Sequence, residues 1–210
     1  MPTTTASVRD AQVLALASDL GVLRARDLEE RGLSRVYLRR LQERGLLVSV
    51  GRGVYVPADV ATGEHQTLAE VARRVPEGVI CLLSALRFHD IGTQNPFAVW
   101  LAIPTGKRAP RLDYPLLEVV RQSGASWNEG VETHLIPVGA AQVPIKVTSP
   151  AKTVADCWKF RGRVGGDVAL EALRDILRKR QASVDELWHY AQVNRALRAM
   201  RPAMEALLSR

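Results

Sequence analysis

Apolar positions in the first sixty residues recur with helical spacing and then switch to strict alternation. Val13, Leu14, Ala17 and Leu20 share one face at about 3.6 residues per turn. Ser7-Val8-Arg9-Asp10 before them reads as a capping box, with the acid three residues after the cap, and Gly21 closes the helix. Leu23 and Leu28 bracket a second short helix, predicted over 24–31 and closed by Gly32. The stretch 34–57, SRVYLRRLQERGLLVSVGRGVYVP, then predicts a helix and a hairpin. Ser34 is an N-cap residue, able to accept from the free amides of the first turn. Tyr37, Leu38, Leu41 and Gly45 make a stripe predicted to be buried. Arg35, Val36 and Arg39 occupy the opposite face, flanked by Arg40 and Gln42. Gly45 stands where left-handed backbone ends helices. Val48, Val50, Val54 and Val56 alternate around Gly51-Arg52-Gly53, the pattern of a hairpin with a three-residue turn.

Helix, helix, tight turn, helix, hairpin is the order of a winged helix-turn-helix, expected here over 1–58. The polar connection 58–63 is the expected boundary, with a second domain over 64–210. A helix is predicted over 65–75, broken by Pro76-Glu77-Gly78, and another starting at Ser84 as its cap. Four strand-like runs follow, at 98–103, 116–121, 131–137 and 143–147, separated by turns rich in proline and glycine. From Pro150 the pattern is helical: Pro150 in a first turn after Thr148-Ser149, a helix over 167–180, a capping box at Ser183-Val184-Asp185-Glu186, and Pro202 near the start of a short last helix. The fold class is therefore α+β: a winged helix-turn-helix, then a larger mixed α/β domain ending in a helical bundle.

Charge gives the first domain a task. Residues 34–57 hold five arginines, Arg35, Arg39, Arg40, Arg44 and Arg52, against one acid, Glu43, in a chain whose net charge is +7. A helix lined with guanidinium groups beside a hairpin tipped by Arg52 is what a winged helix presents to double-stranded DNA. The planar fork of arginine fits both phosphate oxygens and the O6/N7 edge of guanine. Arg35 and Arg39 are placed to read bases and Val36 to meet a thymine methyl. Arg40, Arg44 and Arg52 are placed to hold phosphates, and Ser34 to open the helix. The competing reading is a solvated basic helix. Cys81 and Cys157 stand far apart in apolar surroundings, as buried thiols of a reducing compartment. No run approaches a membrane span, and the first residues carry no apolar signal core, so a cytoplasmic location is expected.

Several stretches together resemble the AbiEi-type antitoxins of abortive-infection, type IV toxin–antitoxin systems. They are LRRLQERGLLVSVGRGVYV (38–56), SALRFHDIGTQNP (84–96), VWLAIP (99–104), TSPAKTVADCWKFR (148–161) and DVALEALRDIL (167–177). His89-Asp90 departs from the family, which more often has His-Gly there. The resemblance implies that the winged helix binds inverted repeats in its own promoter and represses the operon. It also implies that the larger domain counteracts a cognate toxin of the nucleotidyltransferase class, in a functional relation that need not be a stable complex. It implies no catalysis. A stand-alone winged-helix transcription factor with a ligand-sensing or dimerising C-terminal domain is the alternative, and a DNA nuclease with a fused winged helix a third.

Enzyme motifs are weak. Ser149-Pro150-Ala151-Lys152 fits S-x-x-K, but its companion motifs are absent and Ser149 is better explained as a helix cap. Gly106-Lys107 lacks the rest of a phosphate-binding loop. Asp113 and Glu118 lack the lysine of a metal nuclease. His65, His89, His134 and His189 are scattered, so no metal and no cofactor is expected. Trp100, Trp158 and Trp188 are expected in packing rather than in base stacking. In the C-terminal domain Lys152, Thr153, Asp156, Arg161 and Arg163 are the candidate antitoxin face. The simpler reading of Lys152 and Asp156 is an intrahelical ion pair.

Overall fold

A computed structural model describes residues 7–60, 63 and 65–209. By internal contacts the chain divides into two compact units. Among the described residues, the first comprises those up to Pro76 together with 112–115 and 135–145, and the second the remainder.

In the first unit the order is α1 (Val8–Leu20), β1 (Leu23–Arg24), α2 (Ala25–Glu29), α3 (Val36–Glu43), β2 (Leu47–Gly51), β3 (Val54–Pro57) and α4 (Gln66–Arg74). The capping box forms as expected: the Ser7 hydroxyl accepts from the Asp10 amide at 3.2 Å, and the Asp10 carboxylate accepts from the Ser7 amide at 3.3 Å. Leu23-Arg24, expected at the edge of a helix, instead forms a strand antiparallel to β3, with Leu23 opposite Tyr55. The sheet therefore has three strands in the order β1-β3-β2, and α2 is shorter than expected. A side chain or two of strand carries no period, which is why the pattern did not reveal it.

Two further expectations change in detail. Gly45 is exposed and belongs to no buried stripe, which consists of Leu38 and Leu41 with Tyr37 half-buried. Its role is the turn: at φ +69° it lets the Leu46 amide reach the Leu41 carbonyl and its own amide the Gln42 carbonyl, a Schellman ending for α3. The hairpin turn is the pair Arg52-Gly53, because Gly51 pairs with Val54 and a bulge at Val50 absorbs the extra residue. Val13, Leu16, Ala17, Leu23, Leu28, Leu38, Leu41 and Leu47 make the core of this unit.

The 58–63 connection lies inside the first unit, because arginines fasten α4 to the helix-turn-helix. Arg73 donates to the Asp27 carboxylate at 2.9 Å and to the Val22 carbonyl at 3.1 Å, and Arg24 donates to the Arg73 carbonyl at 2.8 Å. Burial pushes the Asp27 carboxyl upward, yet hydrogen bonds from the Arg24 side chain and backbone and the charge of Arg73 hold it below its ordinary value.

A mixed five-stranded sheet has the order β6-β5-β4-β8-β7, from β4 (Val79–Ile80), β5 (Val99–Pro104), β6 (Leu117–Gln122), β7 (Val131–Val138) and β8 (Ala141–Thr148); the parts of β7 and β8 within 135–145 count with the first unit and the rest of the sheet with the second. β5 runs antiparallel to β4 and parallel to β6, and β4 is parallel to β8. The helices are α5 (Leu82–Phe88), α6 (Ala125–Asn128), α7 (Pro150–Lys159), α8 (Arg161–Val164), α9 (Gly166–Lys179), α10 (Val184–Val193) and α11 (Leu197–Leu208). The four strand-like runs appear within two residues of their expected ends. Ser84 is no cap: α5 begins at Leu82, and the Ser84 hydroxyl accepts from the Trp100 amide at 2.9 Å, joining α5 to β5. Pro202 lies inside α11, a longer last helix than expected. Leu82, Leu86, Trp100, Trp158, Leu173, Ile176, Leu187 and Met200 are among the buried residues of the second unit. Eight of the ten residues of α7 are buried, so its polar members must find partners within the core.

Candidate nucleic-acid interface

Helix α3 is held by its apolar side and by two arginine anchors, which determines how its outer face is presented. Leu38 and Leu41 are buried beneath α1 and the sheet. Ser34 precedes the helix by two residues, and its hydroxyl accepts from the Val36 amide at 3.3 Å; Arg35 occupies the cap position itself. Val36 is 69% exposed, and the Arg39 side chain is 84% exposed. Arg35 pairs with Glu29 at 2.6 Å across the turn between α2 and α3. That contact raises the arginine's pKa and lowers the glutamate's, through the hydrogen bond first and the charge second. Arg39 pairs with Glu43 one turn on at 2.8 Å. Exposed pairs of this kind stabilise little, so either guanidinium exchanges its partner readily for a phosphate or a base edge.

Arg40 and Arg44 face a different group. Both approach Asp10, which is fully buried in α1: Arg44 at 2.8 Å and Arg40 at 3.5 Å. Asp10 thus caps α1 and anchors the end of α3, a pairing across 34 positions that no local spacing reveals. Arg44, expected as a phosphate contact, has its guanidinium committed to Asp10 and only its outer part accessible. Arg52 projects from the exposed tip of the wing and has no carboxylate partner among the described residues. The structure therefore brings Ser34, Arg35, Val36, Arg39 and Arg40 onto one exposed face, with Arg52 on the adjoining wing. Such a face offers exchangeable cations and one apolar contact.

The C-terminal candidates form no face. Lys152, Thr153 and Asp156 are fully buried in α7. Lys152 Nζ donates to Asp156 at 2.9 and 3.0 Å and to the Gln122 carbonyl oxygen at 3.4 Å, while Gln122 and Asn194 donate to the same carboxylate at 3.0 and 2.8 Å. Burial raises the Asp156 carboxyl, with the Lys152 charge opposing it. The intrahelical pair is the correct reading, and it is an element of the core. Thr153 shares a 2.7 Å hydroxyl contact with Thr148. Arg161 is exposed and donates to the Trp158 carbonyl; Arg163 lies 5.1 Å over the Trp100 ring and pairs with Glu118 at 2.6 Å. Ser149 occupies the cap position of α7, but its hydroxyl makes no cap bond, and the Lys152 ammonium that S-x-x-K chemistry would need is committed to Asp156. Trp100 and Trp158 are buried, as expected of packing residues. His89 and His134, remote in sequence, come within 6.0 Å of one another around Phe88. No helix among the described residues is long and apolar enough to cross a membrane.

Comparisons with known proteins bear on the N-terminal segment and on the fold. Residues 11–58, the helix-turn-helix and wing, match the family described as transcriptional regulator, AbiEi antitoxin. The resemblance found in the sequence is thereby borne out over that segment, and DNA-binding regulation is the role the match supports. No curated protein matches the chain. The crystal structure of the RV2827C protein from Mycobacterium tuberculosis is similar to it, with a TM-score of 0.59 at 18% identity, over 96% of this chain and 80% of that one. At that identity the likeness is one of fold.

Proposed function

We propose that the chain is a sequence-specific DNA-binding repressor of the AbiEi antitoxin type, acting on inverted repeats in its own promoter. The observation that carries the reading is the recognition helix: Arg35, Val36 and Arg39 exposed together on its outer face, with Arg52 at the tip of the adjoining wing. Arg35 and Arg39 read base edges, Val36 meets a thymine methyl, and Arg40 and Arg52 hold phosphates. Arg44 sets the angle of the helix through Asp10 and lends its accessible edge to the backbone. The larger unit supplies antitoxicity toward a toxin of the nucleotidyltransferase class, without the requirement of a stable complex and without catalysis. Its buried Lys152–Asp156 network then supports the fold, and any surface that meets a partner lies elsewhere, with Arg161 and Arg163 the exposed members of the original set.

Shift assays with single substitutions test the DNA reading. Arg39→Ala should lose about 1–3 kcal/mol on the operator and much less on unrelated DNA, the signature of a lost base contact. Arg52→Ala should weaken both and reduce the salt slope by about one unit. Unchanged affinity in both variants would refute the placement of helix and wing. The confinement of the family match to residues 11–58 keeps a second reading in view, a stand-alone regulator. Rescue from the product of a neighbouring toxin gene, or its failure, separates the two.

A further inference from the structure

The wing has a second face, and behind it the first unit holds an open cleft of about 700 Å³. One wall is β2 and β3 of the wing, through Val48, Val50 and Val56; the other is α4, through Gln66, Thr67 and Glu70. The first wall offers the hydrocarbon of three valines, with Ser49 and Gly51 beside them along the strand. The second contains a carboxylate that the protein leaves underpaired. Glu70 is 4% exposed and has no ion-pair partner among the described residues. Its hydrogen bond comes from the Gln66 amide nitrogen at 3.0 Å, and the Gln66 carbonyl oxygen, itself buried, has no partner. Arg74, one turn along α4, gives its guanidinium to the Tyr114 carbonyl instead.

A buried carboxylate with a single neutral donor is costly unless a cation reaches it. Burial accordingly raises the Glu70 carboxyl above its ordinary value, against the Gln66 hydrogen bond and the Arg74 charge. An unsatisfied carboxamide oxygen beside it offers a further acceptor. Two acceptors on one wall and a valine-rich surface on the other define a complement: a compact donor-only cation on an apolar body.

We propose that this cleft is an effector site for a small organic ammonium compound, whose cation seats on Glu70 and Gln66 and whose hydrocarbon lies against the inner face of the wing. Because β2 is both a wall of the cleft and a strand of the wing, occupancy fixes the wing and changes the affinity for DNA. The coupling rests on the repressor reading above; the site itself does not.

Calorimetric titration of the full-length chain with phenethylammonium, with hexylammonium and with neutral 2-phenylethanol tests the site. The ammonium compounds should bind saturably, the alcohol at least about tenfold more weakly, since it lacks the charge-assisted contact. Glu70→Gln should reduce ammonium affinity by a similar factor, whereas Arg52→Ala should leave it unchanged. Equal binding of amine and alcohol to the wild type, or no saturable ammonium binding up to about 10 mM, overturns the site; this comparison stands even if the Glu70 variant fails to fold. DNA affinity is then measured with and without saturating ammonium, and a change of about threefold or more is expected. Ammonium binding with unaltered DNA affinity overturns the coupling. A protein that binds no DNA at all refutes the repressor reading while the calorimetry still decides the site.

Discussion

Replacing Asp10 should loosen α3, because it frees the two arginines that anchor the end of that helix. The carboxylate is fully buried, accepts from the Ser7 amide at 3.3 Å and from Arg44 at 2.8 Å, and has Arg40 at 3.5 Å. Loss of the cap alone is worth about 1 kcal/mol, and a hydrogen bond to a charged group about 1.5–3 kcal/mol. The terms share one carboxylate and are not additive, so Asp10→Ala should cost about 2–4 kcal/mol. Asp10→Asn, which keeps the shape and an acceptor, should cost less. In a double-mutant cycle with Arg44→Met the coupling should be about 1–2 kcal/mol, because either change removes the same contact. The four tryptophans, Trp100, Trp127, Trp158 and Trp188, all lie in the second unit, so their fluorescence is the wrong probe. Hydrogen exchange of the Leu38 and Leu41 amides reports the helix directly. Arg44→Met should accelerate that exchange and Arg52→Ala should not. A coupling below about 0.5 kcal/mol, or equal exchange in the two arginine variants, would refute the anchoring role.

Three further outcomes follow from the second unit. Gly130 has φ +64°, and a Cβ there would lie 2.7 Å from Lys152 Cδ and 2.8 Å from the Tyr190 ring, so Gly130→Ala should lower stability by at least about 2 kcal/mol in urea unfolding read by tryptophan fluorescence. Lys152→Met leaves the Asp156 carboxylate buried without its cation and should cost about 3–5 kcal/mol in the same assay. Burial would push the Asp175 carboxyl up, but hydrogen bonds from Arg178, the Gly92 amide and Lys179 hold it down to about 2. Its folded pKa is depressed, so its contribution is complete above the unfolded value near about 4 and is lost as pH falls toward about 2. A melting-temperature series across that window should decline less steeply in Asp175→Asn than in the wild type.

What the sequence made legible was whatever is periodic or local. The α3 face, the Ser7 and Ser183 capping boxes, Pro150 in the first turn of α7 and the four long strands all follow from spacing, and all form. The exposure of Arg35, Val36 and Arg39 was readable for the same reason. Contacts between distant residues were not. β1 has two residues and no period, and its existence depends on β3 arriving opposite Leu23. Arg44 looked free because Asp10 is 34 positions away, and 58–63 looked like a boundary because the Arg24–Asp27–Arg73 network joins residues up to 49 apart. For Lys152 and Asp156 the spacing gave the pair correctly but not its depth, which Gln122 and Asn194 make tolerable from other elements. The Glu70 cleft had no sequence signal, since a lone glutamate on a helix reads as solvated, and its burial comes from packing that spacing does not show.

Specific recognition of DNA by α3 and the wing can be decided by a single titration. DNA from immediately upstream of the gene is compared with scrambled DNA of equal length, in a mobility-shift assay at two salt concentrations with unlabelled competitor. The expected complex survives competitor on the upstream DNA, weakens steeply with salt, and is at least about a thousandfold tighter than on the scrambled sequence. Equal affinity for the two DNAs would contradict it and reduce the arginine face to a general basic surface.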